Sequence, residues 1–160
     1  MPFLAPAPTT DDGVVIKNDG FFPDIDLDAM RDTQRLDGTV TTVRLQAEVV
    51  EAMLHANAEL SAWRALREAE GYTSLADVKR VDGRPVPEVG GKTALELRYT
   101  RAVYCWANAN LIERYRNFDA TATARKEDEV SRPGADELRR DAAWAINDIV
   151  GQRRITVELI

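Results

Sequence analysis

The chain has 160 residues, a formal net charge of −6 and a sequence pI of about 4.9. This length suits one domain that buries its own core, and the single cysteine, Cys105, excludes an internal disulfide framework and fits a reducing compartment. The acidic balance argues against nonspecific gripping of nucleic acid, no apolar run reaches the ~20 residues of a membrane span, and the N-terminus lacks signal-peptide features.

The first 23 residues are predicted to form an extended arm, because proline and glycine recur along them. The arm ends in FFPDID, which places Phe21, Phe22 and Pro23 just before the first helix. Two interpretations stay open. Phe22 packs on the first helix and sets the entry angle of the chain, or one of the two rings inserts into a neighbouring subunit.

Four helices are predicted from apolar spacing and capping residues: a short one over 24–36 and long ones over 41–70, 93–118 and 135–150. Gly71 is expected to end the second helix, and residues 79–92 read as a loop or a small hairpin. The predicted core comprises Leu45, Val49, Met53, Leu60, Trp63, Val103, Trp106, Leu138, Ala142 and Ile146.

The tail RRITVELI alternates apolar and polar residues, which is typical of a strand that needs a partner. Its apolar side chains, Ile155, Val157 and Leu159 with the terminal Ile160, are candidate interface residues together with Phe21, Phe22 and Pro23. The predicted fold is therefore all-α: an antiparallel bundle of one short and three long helices. The extended arm spans 1–23, the helical body 24–151 and the strand-like tail 152–160.

Two short motifs suggest ligand sites but do not meet their patterns. GGKT at 90–93 lacks the first glycine and the preceding strand of a phosphate-binding loop. Asp24, Asp26 and Asp28 are spaced as in a calcium loop, but Ala29 and Arg35 replace its glycine and closing glutamate. Loop glycines and helix N-terminal acids explain both, so no cofactor and no metal are predicted.

His55 and Cys105 are the single histidine and cysteine, and a Cys–His pair is the one nucleophilic arrangement that the composition permits. A histidine at the core edge and a buried inert thiol explain them better. Arginines in ERYR at 113–116 and at Arg139 and Arg140 are expected to pair with nearby acids rather than phosphates. The residues alone thus predict a helical interaction protein that is not an enzyme.

Several segments in order resemble the head completion proteins of tailed phages, the gpL family. They are FFPDID, NAEL at 57–60, GYTSLADV at 71–78, RAV at 101–103, LIERYRNFDATA at 111–122, DELRRDAAWAI at 136–146 and the closing RRITVELI. The resemblance runs from about residue 14 to the C-terminus. The family pattern carries no catalytic residue, so none is assigned.

The resemblance implies a structural virion protein at the head–tail junction, which completes the DNA-filled head during capsid assembly and DNA packaging. It implies an adaptor ring, twelve copies when assembled, under the portal protein. Such a ring would extend the DNA channel without sequence-specific contacts and offer a docking site to a neck or tail completion protein. A small helical regulator or assembly factor that stays outside the particle remains the alternative, as does an enzyme that uses Cys105.

Overall fold

The structure, a computed structural model, describes residues 13–119 and 133–151, and of residues 115–119 it describes the backbone only. Its helices are α1 Leu27–Gln34, α2 Thr42–Glu59, α3 Ser61–Ala69, α4 Ala94–Asp119 and α5 Ala135–Val150, with a 3-10 turn at Leu75–Asp77. Its strands are β1 Val15–Ile16, β2 Ile25–Asp26, β3 Arg80–Val81, β4 Arg84–Pro85, β5 Glu88–Val89 and β6 Lys92–Thr93.

The all-α prediction is wrong. The described residues form five α-helices and three two-stranded antiparallel pairs, β1–β2, β3–β4 and β5–β6, so the fold is mixed. The strands are only two residues long each. The first, β1, lies in the predicted arm, β2 lies at the start of the predicted first helix, and the other four lie within 80–93, where a loop or small hairpin was expected. A segment that packs against the core without being helical must still pair its buried backbone N–H and C=O groups, and these short antiparallel strand pairs provide the hydrogen bonds.

The N-terminal segment is joined to the body at α1. Ile16 pairs with Ile25 across β1–β2, and the amide of Leu27 donates to the carbonyl of Val14 over 3.0 Å. The carboxylate of Asp26 accepts from the two amides that open α1, as an N-cap residue does. Helix α1 is shorter than predicted because this cap begins it later.

The predicted second helix is two helices, because the backbone leaves the helical region at Leu60, where ψ is 2°. The break changes the direction of the chain, so that Trp63 is buried while Leu66, on the same predicted stripe, is 60% exposed. Helix α3 ends as predicted at Gly71, whose φ is +95°. The amides of Gly71 and Tyr72 then donate to the carbonyls of Glu68 and Arg67, which is a Schellman motif.

Residues 79–93 form two successive hairpins, and the hairpin reading of this segment is confirmed. Asp82 and Gly83 join β3 to β4, and Gly90 and Gly91 join β5 to β6, all four with positive φ. Two-residue hairpin loops of this kind need left-handed residues, which explains the paired glycines of GGKT. Thr93 and Glu96 then cap α4 reciprocally, each side chain accepting from the other's amide.

Helix α4 is the centre of the molecule, with α2 and α5 packed against it. Tyr99, Val103 and Ala107 on α4 have no exposed surface. Among the described residues, no helix combines the length and apolar character that crossing a membrane requires.

Of the residues predicted to form the core, Trp106 is half-buried and the others are buried. The buried ones are Leu45, Val49, Met53, Leu60, Trp63, Val103, Leu138, Ala142 and Ile146.

Candidate interaction surface

Asp19 organises the turn that carries the two phenylalanines. Its Oδ1 accepts from the amides of Phe21 and Phe22 over 3.0 and 3.2 Å, and its Oδ2 lies 2.5 Å from Nη1 of Arg64 on α3. The guanidinium of Arg64 lies 5.0 Å from the ring centroid of Phe21. A carboxylate that binds two backbone amides and an arginine at once holds the whole turn against α3.

The second phenylalanine lies against α4. Its ring stacks on Tyr99, whose hydroxyl donates to Oδ1 of Asn57 over 2.6 Å. Asn18 closes the network, because its Nδ2 donates to the Tyr99 hydroxyl and to the carbonyl of Pro23 while its Oδ1 accepts from Asn57. Burial raises the pKa of Tyr99 well above its ordinary value, so its hydroxyl stays protonated and can donate.

Phe21 and Phe22 are each only 3% exposed, and Pro23 is half-buried. Both rings therefore pack inward, but Phe22 stacks on Tyr99 of α4, whereas the first interpretation placed it on the first helix. Inserting either ring into a neighbouring subunit or a portal would require this cluster to open.

The other four predicted interface residues, Ile155, Val157, Leu159 and Ile160, lie outside the described residues. Helix α5 ends just before them at Gly151, which caps it with φ of +76°. The strand-like tail stays a prediction.

The aspartates spaced as in a calcium loop each serve the local backbone. Asp24 accepts from Lys17 and from the amide of Asn18, and the hydrogen bond from Lys17 lowers the pKa of its carboxyl. Asp26 caps α1, and Asp28 accepts from the amide of Gly13. Within residues 13–119 and 133–151 there is no group of three or more side chains suited to hold a metal.

His55 and Cys105 do not have the surroundings of a catalytic pair. His55 stacks on Trp106 with 3.8 Å between ring centroids, which is a packing role. Cys105 is buried, and burial raises the pKa of its thiol. A protonated, enclosed thiol is a poor nucleophile.

The arginines of α5 are paired, as expected from the acidic composition. Arg139 binds Glu113 and Asn110 on α4 and lies 4.6 Å from the ring centroid of Trp106. Arg140 is 3.6 Å from Asp141. The contacts of Arg139 hold α5 against α4, and both arginines use the charges that a phosphate would need.

Two buried charged side chains were not foreseen from the sequence. Glu48 on α2 is 4% exposed, and its Oε1 accepts from Nε of Arg114 over 3.1 Å, while its Oε2 has no partner among the residues that the structure describes. Arg67 is 5% exposed and lies over the ring of Trp63, with Nη2 bound to Glu70. Glu48 lies three residues after Leu45 and four before Ala52, and Arg67 lies four residues after Trp63, so helical spacing from core positions is the signal that could have found them.

Among the described residues, the outer face of α2, opposite its core-facing side, carries an exposed row of apolar side chains. Val43, Ala47, Val50 and Leu54 form this outer apolar stripe, and Val43 and Leu54 are 79% and 59% exposed. Sequence reasoning missed the stripe, although its spacing of four, three and four residues is visible in the sequence. The core-facing stripe of α2 has more apolar residues and predicts a single apolar face for the helix.

Fold and surface together define a small, mainly helical structural protein. In the described part of the chain, its aromatic clusters and the charged groups singled out above serve to hold its own body together, and an apolar helix face is left exposed. The chain matches the family described as phage head completion protein (GPL) over residues 16–160. It is also 40% identical over 157 residues to the head completion/stabilization protein of Escherichia phage P2, across 98% of this chain and 89% of that protein.

The chain therefore belongs to the phage head completion protein family, and the resemblance noted in the sequence is confirmed. The family is a structural one, which makes this chain a component of the phage head with a role in head completion. No solved structure matches the chain.

Proposed function

We propose that this protein completes the filled head as the subunit of an adaptor ring, located under the portal protein at the head–tail junction. Its partners are the portal, further copies of itself, twelve in the assembled ring, and a neck or tail completion protein. The observation that carries the proposal is the match to head completion proteins from residue 16 to the C-terminus, which includes the whole described body beyond the first three residues.

The placement of the phenylalanines bears on which segment meets the portal. Because Phe21 and Phe22 are buried in the core, the C-terminal tail is the better candidate for the contact with the portal. Its alternating Ile155, Val157 and Leu159 would add a strand to a sheet edge of a partner. A ring also uses heterologous contacts between different faces of neighbouring copies.

The charge of the chain supports a passive channel. A net charge of −6 disfavours tight contact with the phosphate backbone, so DNA would slide through the ring. A ring structure whose channel is lined mainly by arginine and lysine would overturn this part of the proposal.

The test is electron microscopy and mass photometry of the purified protein, alone and mixed with the portal protein of the same phage. Added density beneath the portal is the expected result. If the protein is absent from both the portal complex and purified virions, the result would favour the alternative, an assembly factor that stays outside the particle.

Two truncations then assign the contact. Removal of residues 153–160 is expected to abolish portal binding while the helices stay folded, and removal of residues 1–12 serves as the matched control. Retained binding by the first variant, or loss by the second alone, would place the contact elsewhere.

A further inference from the structure

Helices α2 and α5 leave a groove between them on the surface of α4. Both helices pack on α4 but scarcely on each other. The groove has a volume of about 250 Å³, and Trp106 of α4 lies in its floor. Five of the side chains that line it are alanines: Ala52, Ala56, Ala102, Ala142 and Ala143. Because alanine fills so little space, the groove is largely apolar and has room for side chains from another segment.

The two helices that flank the groove end on the same side of the molecule. Tyr99, near the start of α4, donates to Asn57 near the end of α2 over 2.6 Å. Arg98, one residue before Tyr99, donates to the carbonyl of Asp148 near the end of α5 over 3.1 Å. The C-terminal ends of α2 and α5 therefore both lie beside the first turns of α4. The chain that follows α5 starts at the end of the groove where α2 ends.

This following segment, the C-terminal tail of residues 152–160, is long enough to run along the groove. Gly151 adopts the left-handed conformation with φ of +76°, which turns the chain off the axis of α5. The α5 residues that line the groove extend back to Ala142, which is about 14 Å from Gly151 at ~1.5 Å per residue. Nine residues reach up to about 30 Å when extended. The tail can therefore cover the groove without help from a second copy.

Charges match at the end of the groove where the tail begins. Glu59, the last residue of α2, lines the groove there, is exposed, and makes no ion pair within the described part of the chain. Arg153 and Arg154 are the second and third residues after Gly151, so an arginine reaches Glu59 first. Asn147, across the groove, has a side-chain amide with no hydrogen bond to another described residue, and it can bind the backbone of an extended segment.

The apolar side chains of the tail come next, where the groove itself becomes apolar. Ile155, Val157 and Leu159 share one side of an extended segment and span about 13 Å. The groove extends about 10 Å along α2 from Glu59 back to Ala52, at ~1.5 Å per residue. The order of charged and apolar residues along the tail thus matches the order along the groove, and the two lengths are similar.

We infer that the groove between α2 and α5 is the docking site of this chain's own C-terminal tail, residues 152–160. Because the contact is intramolecular, a weak intrinsic affinity suffices. A dissociation constant of about 0.1 mM, set against an effective concentration on the order of 1 mM, gives about ten times more docked than free tail. Docking does not depend on the portal. Under the proposed function, groove and portal are alternative sites for one segment, so portal binding requires the tail to leave the groove.

Trypsin cleavage of the full chain at Arg153 and Arg154 measures how often the tail is free, since the protease cuts only the undocked segment. Mass spectrometry follows the initial rate at which the end of the tail is released. Ala143→Trp fills the groove from an exposed position and is expected to raise this rate about tenfold. Ala65→Trp, exposed on α3 outside the groove, is the matched control and is expected to leave the rate unchanged. Circular dichroism verifies that both variants are folded.

A second pair of variants tests the charge match. Glu59→Gln is expected to raise the release rate about threefold, since it removes one exposed ion pair. Glu51→Gln is the matched control, because Glu51 is equally exposed on α2 but does not line this groove. It is expected to have no effect.

The concentration of the protein identifies whose tail is docked. Protection by the chain's own tail is expected to be the same from about 1 μM to about 100 μM, because an intramolecular contact does not depend on concentration. Protection that rises with concentration would assign the docked tail to a second copy and would overturn the inference. So would a release rate that Ala143→Trp changes no more than Ala65→Trp does. Because portal is absent from these experiments, their failure is distinct from failure of the proposed adaptor role.

Discussion

The ring of Phe22 stacks on the ring of Tyr99, with 4.8 Å between centroids and 9° between the ring planes. The contact joins the segment before α1 to the centre of α4, and Phe21 lies edge-on to the same stack with 5.1 Å between ring centroids. Aromatic pairs in such geometry contribute beyond the area that they bury. The N-terminal segment is therefore held by the core from Val14 onward.

Phe22→Ala tests this role. Truncating a buried phenylalanine removes its burial and leaves a cavity, so the free energy of unfolding is expected to fall by about 3–5 kcal/mol in urea titration. Leu66→Ala, at an exposed position, is the control and is expected to change the free energy by about 0.5 kcal/mol or less. If the Phe22 variant keeps its stability but the subunits no longer assemble into a ring, the Phe22 side chain contacts a neighbouring subunit instead.

Tyr99 makes a contribution to stability that is lost at alkaline pH. Burial raises the pKa of its hydroxyl in the folded state, whereas the unfolded chain ionises near pH ~10. The unfolded state therefore loses its proton first, so the contribution is complete below pH ~10 and is lost above it, at about 1.4 kcal/mol per pH unit.

Tyr99→Phe is expected to remove this component of the alkaline slope. At neutral pH it also costs about 1–3 kcal/mol, because Asn57 loses the donor that its Oδ1 accepts from. Thermal unfolding of both proteins from neutral pH to pH ~11 measures the two effects. Curves that stay parallel across that range would contradict the role given to the hydroxyl.

Gly71 and Gly38 form a matched pair for the helix end. An added Cβ meets no atom within 4 Å at either position, but only Gly71 has positive φ, at +95°. Gly71→Ala is expected to cost about 1 kcal/mol of stability, because the left-handed conformation strains an L side chain. Gly38→Ala should be neutral or stabilising by up to about 1 kcal/mol. Equal effects in chemical denaturation would argue against the cap at Gly71.

Cys105 is expected to react slowly with a thiol reagent in the native protein and rapidly after unfolding. Burial both encloses the sulfur and raises its pKa, so little thiolate is available at neutral pH. Ala65→Cys, at an exposed position on α3, is the positive control and should label at once. Fast native labelling of Cys105 itself would restore the enzyme hypothesis.

Local signals in the sequence predicted the helices that carry their own caps. Thr93 with Glu96, and Gly71 with the turn after it, act through residues three or four positions apart, so their effect is readable without the fold. The order of motifs from FFPDID to RRITVELI was enough to indicate the family. The inward stripe of α2 likewise predicted the buried face of that helix, since periodicity alone reports which residues share a face.

Tertiary structure decided what periodicity cannot encode. No proline or glycine lies near Leu60 to predict the break between α2 and α3. The break nevertheless places Trp63 in the core and leaves Leu66 exposed. Whether the phenylalanine pair turns inward depended on Asp19, Asn57 and Tyr99, which are distant in the sequence and meet only after α2 and α4 have packed. The sequence by itself thus determined where most of the helical chain lies, part of the core and the family, because these follow from local spacing and ordered motifs. The short ladders, the direction of the aromatic pair and the exposed stripe of α2 were decided by which surfaces the packed helices cover.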